Sequence, residues 1–332
     1  MKERVQFLDA IRGYAIILVV ATHALTYMHM EGNETLVFWV QTVAVPPFFL
    51  VDGYLFLALL QNEAEFSYGR YLLKSARRLV FPWVLFTVVY GVFRAVFEYQ
   101  GLLETNILIG HSAVDIIGAA YRSEISPQMY FLPSLFVIRS VSFLTKRLAT
   151  LPPLWILTIW TGYTILWANV APGFAGESGL DPVFHALWGL QFYLLGMVLY
   201  VYRRMMDKYA GVYASGALVL LLALKLAPDT PPSIAQYLYI ITVYFAGVAG
   251  HSHATFLSML GKYTMGIFLF HAPIIIRGVS LLVIRFVPWS DLSQYGAVVV
   301  LTLAISLLVT RLCGTLPFGG VVLGEMPNRA TI

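Results

Sequence analysis

Apolar stretches of about 20 residues recur along the whole chain, and they constrain the fold more than any other feature. A helix of about 20 residues crosses a hydrocarbon layer of about 30 Å. Only 11% of the residues are charged, against about 25% in an average soluble protein, so a water-soluble surface cannot cover these stretches. The sequence therefore predicts an all-α, polytopic integral membrane helix bundle. It excludes a soluble enzyme and a disordered chain.

We predict about ten transmembrane helices in a single transmembrane domain, residues 1–332, with no soluble appended domain because every connection is short. The single cysteine, Cys313, excludes an intramolecular disulfide. The predicted spans are residues 6–27, 36–60, 79–98, 128–145, 153–170, 183–202, 211–227, 233–250, 256–284 and 293–313.

The basic residues beside these spans predict the orientation, because cytoplasmic loops carry an excess of Lys and Arg. With both termini cytoplasmic, most acidic loop residues fall outside, where the basic residues are chiefly Arg122 and Arg285. The cytoplasmic cations are then Lys2, Arg4, Arg70, Lys74, Arg77, Arg78, Lys146, Arg147, Arg203, Arg204, Lys208, Arg311 and Arg329. The outer acidic residues are Glu104, Asp115, Glu177, Asp181, Asp229 and Asp291.

The longest outer connection, about residues 99–127, contains an amphipathic stretch at 106–121. Such a stretch can lie in the membrane interface or dip into the bundle. Within it, His111 and Asp115 are four residues apart and share a helical face. They are either a functional pair or part of a solvated polar face.

Ionisable side chains inside the predicted spans carry the functional information, because they are costly in a bilayer without a partner or a cavity. Arg12 and His23 have ten residues between them, which puts both on one face of the first helix, about 16 Å apart along its axis. The plainer alternative is that Arg12 pairs with Asp9 and His23 bonds within the bundle. Arg139, in the fourth span, is a further cation for which the sequence suggests no partner.

Residues 7–23, FLDAIRGYAIILVVATH, contain a basic residue, ten residues and a histidine, and this segment resembles the first helix of the membrane acyltransferase 3 family. Residues 47–55, PFFLVDGYL, are similar to its second-helix segment, with Asp52 in place of the usual serine. Residues 74–83, KSARRLVFPW, are similar to its basic stretch before the third helix, with Lys74 where an arginine is expected.

Three later segments are similar to the family in the same order along the chain. They are residues 130–133, YFLP, residues 192–197, FYLLGM, and residues 260–273, LGKYTMGIFLFHAP. Each segment alone is weak, whereas the ordered set from residue 7 to residue 273 is specific.

The resemblance implies transfer of an acyl group, usually acetyl, from cytoplasmic acyl-CoA to a hydroxyl of a cell-envelope glycan or glycolipid. His23 is then the candidate general base, Arg12 a group that holds the CoA or stabilises the oxyanion, and His271 a second polar group in the site. Asp52 is a candidate to pair with Arg12 or to orient His23. Lys74, Arg77 and Arg78 are candidates to bind the CoA phosphates, although they could serve only to fix the topology.

The competing interpretation is a transporter or flippase of a lipid-linked saccharide, in which Arg12 and His23 line a pathway. In either case we expect a multi-pass protein of the inner or plasma membrane, in contact with membrane lipid. No metal ion is expected. A nucleic-acid partner is not expected either, because the excess of Lys and Arg (21) over Asp and Glu (17) is small and scattered.

Overall fold

The computed structural model describes residues 6–30, 32–62, 66–103, 105–171, 181–226, 232–250, 253–288 and 290–324. Helices make up 85% of the structure, and the described part of the chain contains no strands, which confirms the all-α prediction. Of the charges used to predict orientation, Lys2, Arg4, Glu104, Glu177, Asp229 and Arg329 lie outside the described residues.

The chain divides into two compact units, and the three boundaries between them fall within three of the helices. The first unit comprises residues 1–55 and 195–311, and the second comprises residues 56–194 and 312–332. In chain order the α-helices are α1 Gln6–Tyr27, α2 Glu34–Gln41, α3 Pro46–Asn62, α4 Tyr68–Ser75, α5 Phe81–Tyr99, α6 Ala113–Tyr121, α7 Phe131–Ser140, α8 Ser142–Lys146, α9 Pro153–Val170, α10 Pro182–Met206, α11 Ala210–Leu226, α12 Pro232–Ala249, α13 Thr255–Lys262, α14 Thr264–Phe270, α15 Ile276–Phe286, α16 Asp291–Gly314 and α17 Gly319–Val322.

Six helical stretches in the described residues are long and apolar enough to cross a membrane. They are Gln6–Tyr27, Glu34–Gln61, Tyr68–Tyr99, Pro182–Leu224, Thr264–Phe286 and Asp291–Gly314, and Ser233–Ala249 is a shorter apolar helix. These stretches support a multi-pass membrane protein. The number of ten spans and the cytoplasmic termini stay predictions.

The predicted span 183–202 and most of the span 211–227 fall within one helical stretch, Pro182–Leu224. Arg203, Arg204 and Lys208 suggested a loop between them, but no proline or glycine stands between Met197 and Ala210. A short 3₁₀ turn, Asp207–Tyr209, separates the two predicted spans. Polar residues without a helix breaker do not by themselves end a helix.

In the first unit, α1 packs against α2, α12, α13, α14 and α15. Its tightest contact is with α13. A Cβ atom on Gly13 would lie 1.9 Å from the Leu257 carbonyl oxygen, and a Cβ on Gly261 would lie 1.9 Å from that of Asp9. Glycines let helix backbones approach this closely, as they do in many membrane bundles.

Hydrogen bonds between elements also hold α1 in place. Near its start, Ser258 Oγ donates to the Gln6 carbonyl at 3.0 Å. Near its end, the Tyr295 hydroxyl donates to the Ala21 carbonyl at 3.1 Å. Between these, the Tyr14 and Tyr239 hydroxyls are 2.6 Å apart. The helix that carries Arg12 and His23 is therefore held at three points along its axis.

Candidate functional site

His23 lies against His271 in the first unit. Their ring centroids are 5.1 Å apart, and the ring planes are inclined by 52°. His271 is fully buried, whereas His23 on α1 keeps part of its surface accessible. The structure therefore brings together two histidines that the sequence proposed separately.

The hydrogen bonds of His271 assign its tautomer. Its Nδ1 atom lies 2.8 Å from the Phe268 carbonyl oxygen and 3.1 Å from that of Ile267. A carbonyl oxygen only accepts, so Nδ1 carries the proton and Nε2 of the neutral ring carries a lone pair. Nε2 is buried and has no hydrogen-bond partner among the described residues. A buried acceptor of this kind is an unusual feature that calls for an explanation, such as a bound ligand or a catalytic role.

The backbone at His271 is irregular. Residues His271–Ile275 form a π-helical turn, and Ala272 leaves the helical conformation at φ −130° and ψ 153°. Pro273 follows and has no N–H to continue the helical ladder. Single π-helical turns within α-helices are frequent at functional sites.

Arg12 lies about three turns from His23 along α1, on the side of Asp9. Its Nη1 atom is 3.5 Å from Asp9 Oδ1, and the Asp9 side chain is only 3% exposed. The pairing that the sequence offered as the plainer alternative is thus present. Arg12 keeps 23% of its side chain exposed, so it can still contact a ligand.

Asp52 is buried on α3, a few residues from the point where α3 meets α10 closely. At that point a Cβ on Gly196 would lie 2.0 Å from the Leu50 carbonyl oxygen. The suggested pairing of Asp52 with Arg12, or its orientation of His23, stays a prediction.

The predicted CoA-binding residues lie in the second unit. Lys74 is near the end of α4, and Arg77 and Arg78 lie in a second π-helical turn, Ala76–Val80, between α4 and α5. All three side chains are exposed, whereas the neighbouring Ser75 and Leu79 are buried. The segment therefore presents its cations outward while its other face packs inward.

Arg139 on α7 contacts this basic segment. The sequence did not indicate this contact. Its Nη1 atom donates to Ser75 Oγ at 3.4 Å, and its guanidinium lies 6.0 Å from the centre of the Tyr71 ring. Ser75 Oγ in turn donates to the Tyr71 carbonyl at 2.9 Å. The only indication of this contact in the sequence was that Arg139 is a cation inside an apolar span.

A comparison with protein-family models matches residues 5–311 of the 332 to an acyltransferase domain. The chain belongs to the acyltransferase 3 family. The match begins before α1, ends within α16 and covers both histidines and the basic segment, so this member is a membrane acyltransferase. Neither the curated proteins nor the solved structures gave a match.

The acyltransferase 3 assignment agrees with the order of the segments noted in the sequence. It does not by itself assign a role to any residue. Among the described residues, no three His, Cys, Asp or Glu side chains are grouped as they would be to hold a metal ion.

Proposed function

We propose that this acyltransferase moves an acyl group, acetyl in the first instance, from cytoplasmic acyl-CoA to a hydroxyl of a cell-envelope glycan or glycolipid. The observation that carries the proposal is the contact between His23 and the buried His271. Two imidazoles packed together in an apolar bundle are costly unless they handle a proton or a polar ligand. An acyl transfer from a thioester to a hydroxyl requires such a proton acceptor.

His23 acts as the general base. The acceptor hydroxyl gives its proton to a ring nitrogen of His23 while its oxygen bonds to the thioester carbonyl carbon. The carbon–sulfur bond then breaks, and the CoA sulfur leaves with the proton returned by the imidazolium. The products are an ester and free CoA.

His271 positions the reacting groups through its Nε2 lone pair. Because Nδ1 is committed to two backbone carbonyls, the ring cannot rotate freely, and Nε2 remains an acceptor in a fixed place. Such an acceptor can orient an N–H of His23 or the hydroxyl of the acceptor. The tautomer that the backbone imposes is therefore part of the site.

The basic segment binds the donor. Arg77 and Arg78 are exposed and can each hold phosphate oxygens through two parallel hydrogen bonds, while Lys74 adds a point charge. Arg139 lies behind them and, through Ser75, fixes the turn on which they stand. In the first unit, Arg12 is a further candidate to bind CoA, since its depth on α1 suits a contact with CoA better than with the developing oxyanion.

The proposal is tested by measuring free CoA released from acetyl-CoA by the purified full chain, with and without envelope glycan. We expect release that depends on the glycan, and a loss of roughly 10²- to 10⁴-fold in the His23→Ala variant. His253→Ala is the matched control, because His253 is an exposed histidine of the same unit. Movement of saccharide across the membrane without consumption of acyl-CoA would instead identify a transporter.

The acceptor is identified in cells. Mass spectrometry of envelope glycans from a deletion strain, and from the same strain carrying His23→Ala, should show the loss of one acyl mass increment. An inner or plasma membrane location follows from the same proposal, because acyl-CoA is cytoplasmic.

A further inference from the structure

A polar cavity lies in the second unit, in the connection between α5 and α7 that the charge pattern predicts to be outside the membrane. Its volume is about 310 Å³. We call it the outer cleft and define it by its polar side chains, Asn106, His111, Asp115, Arg122 and Glu124, with Ile107 and Ala119 beside them. None of these residues has a part in the proposed acyl-transfer chemistry.

One wall of the outer cleft is fixed by a buried carboxylate. Glu98, whose side chain is fully buried, accepts hydrogen bonds from the backbone N–H groups of residues 107–109 at 2.8, 2.9 and 3.0 Å. Arg94 pairs with Glu98 at 2.7 Å and also donates to the Thr105 carbonyl at 3.2 Å. The segment that carries Asn106 is therefore held in one conformation before any ligand binds, which lowers the entropic cost of binding.

A second wall is the start of α6, which a capping box fixes. Asp115 Oδ2 accepts from the Ser112 backbone N–H at 3.2 Å and from Ser112 Oγ at 2.7 Å. The hydrogen bond from Ser112 Oγ, followed in size of effect by the one from the Ser112 backbone N–H, holds the pKa of the Asp115 carboxyl below its ordinary value. Asp115 is thus a carboxylate at neutral pH, and both bonds go to Oδ2, so Oδ1 can accept from a ligand.

The third wall is the ion pair of Arg122 with Glu124, in which the Arg122 side chain packs against Gly118. Arg122 Nε donates to Glu124 Oε1 at 2.6 Å. The guanidinium lies along α6 over Gly118, where an added Cβ would come within 3.3 Å of Arg122 Nη1. The absence of a side chain at Gly118 thus leaves the space that the guanidinium occupies.

The chemistry of the outer cleft suits a neutral polyhydroxyl ring. The two carboxylates repel an anionic ligand, and the polar lining offers little to an apolar one. Sugar hydroxyls both donate and accept, so they can bond to carboxylates, a guanidinium, an imidazole and an amide together. The volume is at the lower end of small-molecule sites, which fits a single sugar unit.

The other face of α6 explains where such a sugar would come from. Val114, Ile117 and Tyr121 form one exposed apolar stripe along the helix. A short amphipathic helix of this kind can lie in the membrane interface with its apolar face among the lipids. The outer cleft would then open at the level where the sugar of a membrane-anchored glycan is found.

From these observations we propose that the outer cleft is a saccharide-binding subsite that receives the glycan acceptor. The part of this statement that names the acceptor rests on the proposed function, whereas sugar binding by the cleft does not. Asp115, Glu124 and Arg122 determine the specificity, because they provide the charge-assisted hydrogen bonds.

The test is saturation-transfer NMR on the full chain in lipid nanodiscs, with the methyl glycosides of glucose, galactose, rhamnose and N-acetylglucosamine as probes. We expect at least one glycoside to bind the wild type. Asp115→Asn and Glu124→Gln should each weaken that binding about tenfold, the cost of one charge-assisted hydrogen bond. Asp291→Asn is the matched control, because it makes the same change at an exposed acidic residue of another predicted outer segment.

The two proposals fail differently in this experiment. Absence of binding by every glycoside, or equal binding by wild type and both cleft variants, overturns the saccharide subsite. Binding of acetyl-CoA to the wild type is measured in parallel. Its absence, with glycoside binding intact, contradicts the proposed acyl transfer from CoA and leaves the subsite standing.

Discussion

The ring of His23 on α1 packs against the ring of His271, which stands at the start of a π-helical turn between α14 and α15. One histidine is partly accessible and the other is fully buried, with its tautomer set by backbone carbonyls. In the proposed mechanism, this pairing supplies the proton acceptor and a fixed neighbour for it.

The first prediction concerns the coupling of the two histidines. His271→Ala should lower the rate of acyl transfer by at least about tenfold, and the double variant His23→Ala, His271→Ala should be no slower than His23→Ala alone. The reason is that a residue acting through His23 has no further effect once His23 is gone. The measurement is glycan-dependent CoA release, with thermal unfolding to confirm that each variant is folded. Additive losses would mean that the two residues act independently.

The second prediction concerns the contact of α1 with α13. Gly261→Ala places a methyl group on the Asp9 carbonyl and must push the helices apart. We expect a loss of about 1–3 kcal/mol of stability and a lower thermal unfolding midpoint. Gly278→Ala is the control, since, beyond its own helical turn, no atom of the described residues lies within 4 Å of a Cβ added to Gly278. Equal unfolding midpoints for the two variants would contradict the close helix contact.

The third prediction concerns the basic segment. Arg77→Gln and Arg78→Gln should each raise the KM for acetyl-CoA about five- to tenfold with little change in kcat, because each removes a phosphate contact. High salt should raise the KM of the wild type and have less effect on these variants. Arg285→Gln, an exposed cation in the predicted outer region, should leave KM unchanged. A fall in kcat with unchanged KM would contradict a role of these arginines in binding acetyl-CoA.

The fourth prediction concerns Glu98. Glu98→Ala removes the acceptor of three backbone N–H groups, so the amides of residues 107–109 should exchange with deuterium at least about tenfold faster. Glu34→Ala, at an exposed carboxylate of the first unit, should not change their exchange. Unchanged protection in Glu98→Ala would show that other contacts hold this segment.

The apolar stretches and the scarcity of charge determined the all-α membrane class, because a chain with so few charges cannot cover these stretches in water. The ordered segments from Arg12 to His271 indicated the family. Spacing along α1 also predicted correctly that Arg12 and His23 are three turns apart, since helical periodicity is a local property.

The tertiary structure decided what depends on residues distant in the chain. The sequence proposed His271 as a polar group in the site, but only the packing of α1 against the later helices placed it on His23. Arg139 had no partner in the sequence, and only the contact of α7 with the π-helical turn brought it to Ser75. His111 precedes α6, which begins at Ala113, so the prediction that His111 and Asp115 share a helical face was wrong. Both line one cavity, and their function as a pair stays a prediction. Side-chain neighbours of this kind follow from backbone approach and loop conformation, which a linear pattern of hydrophobicity and charge does not specify.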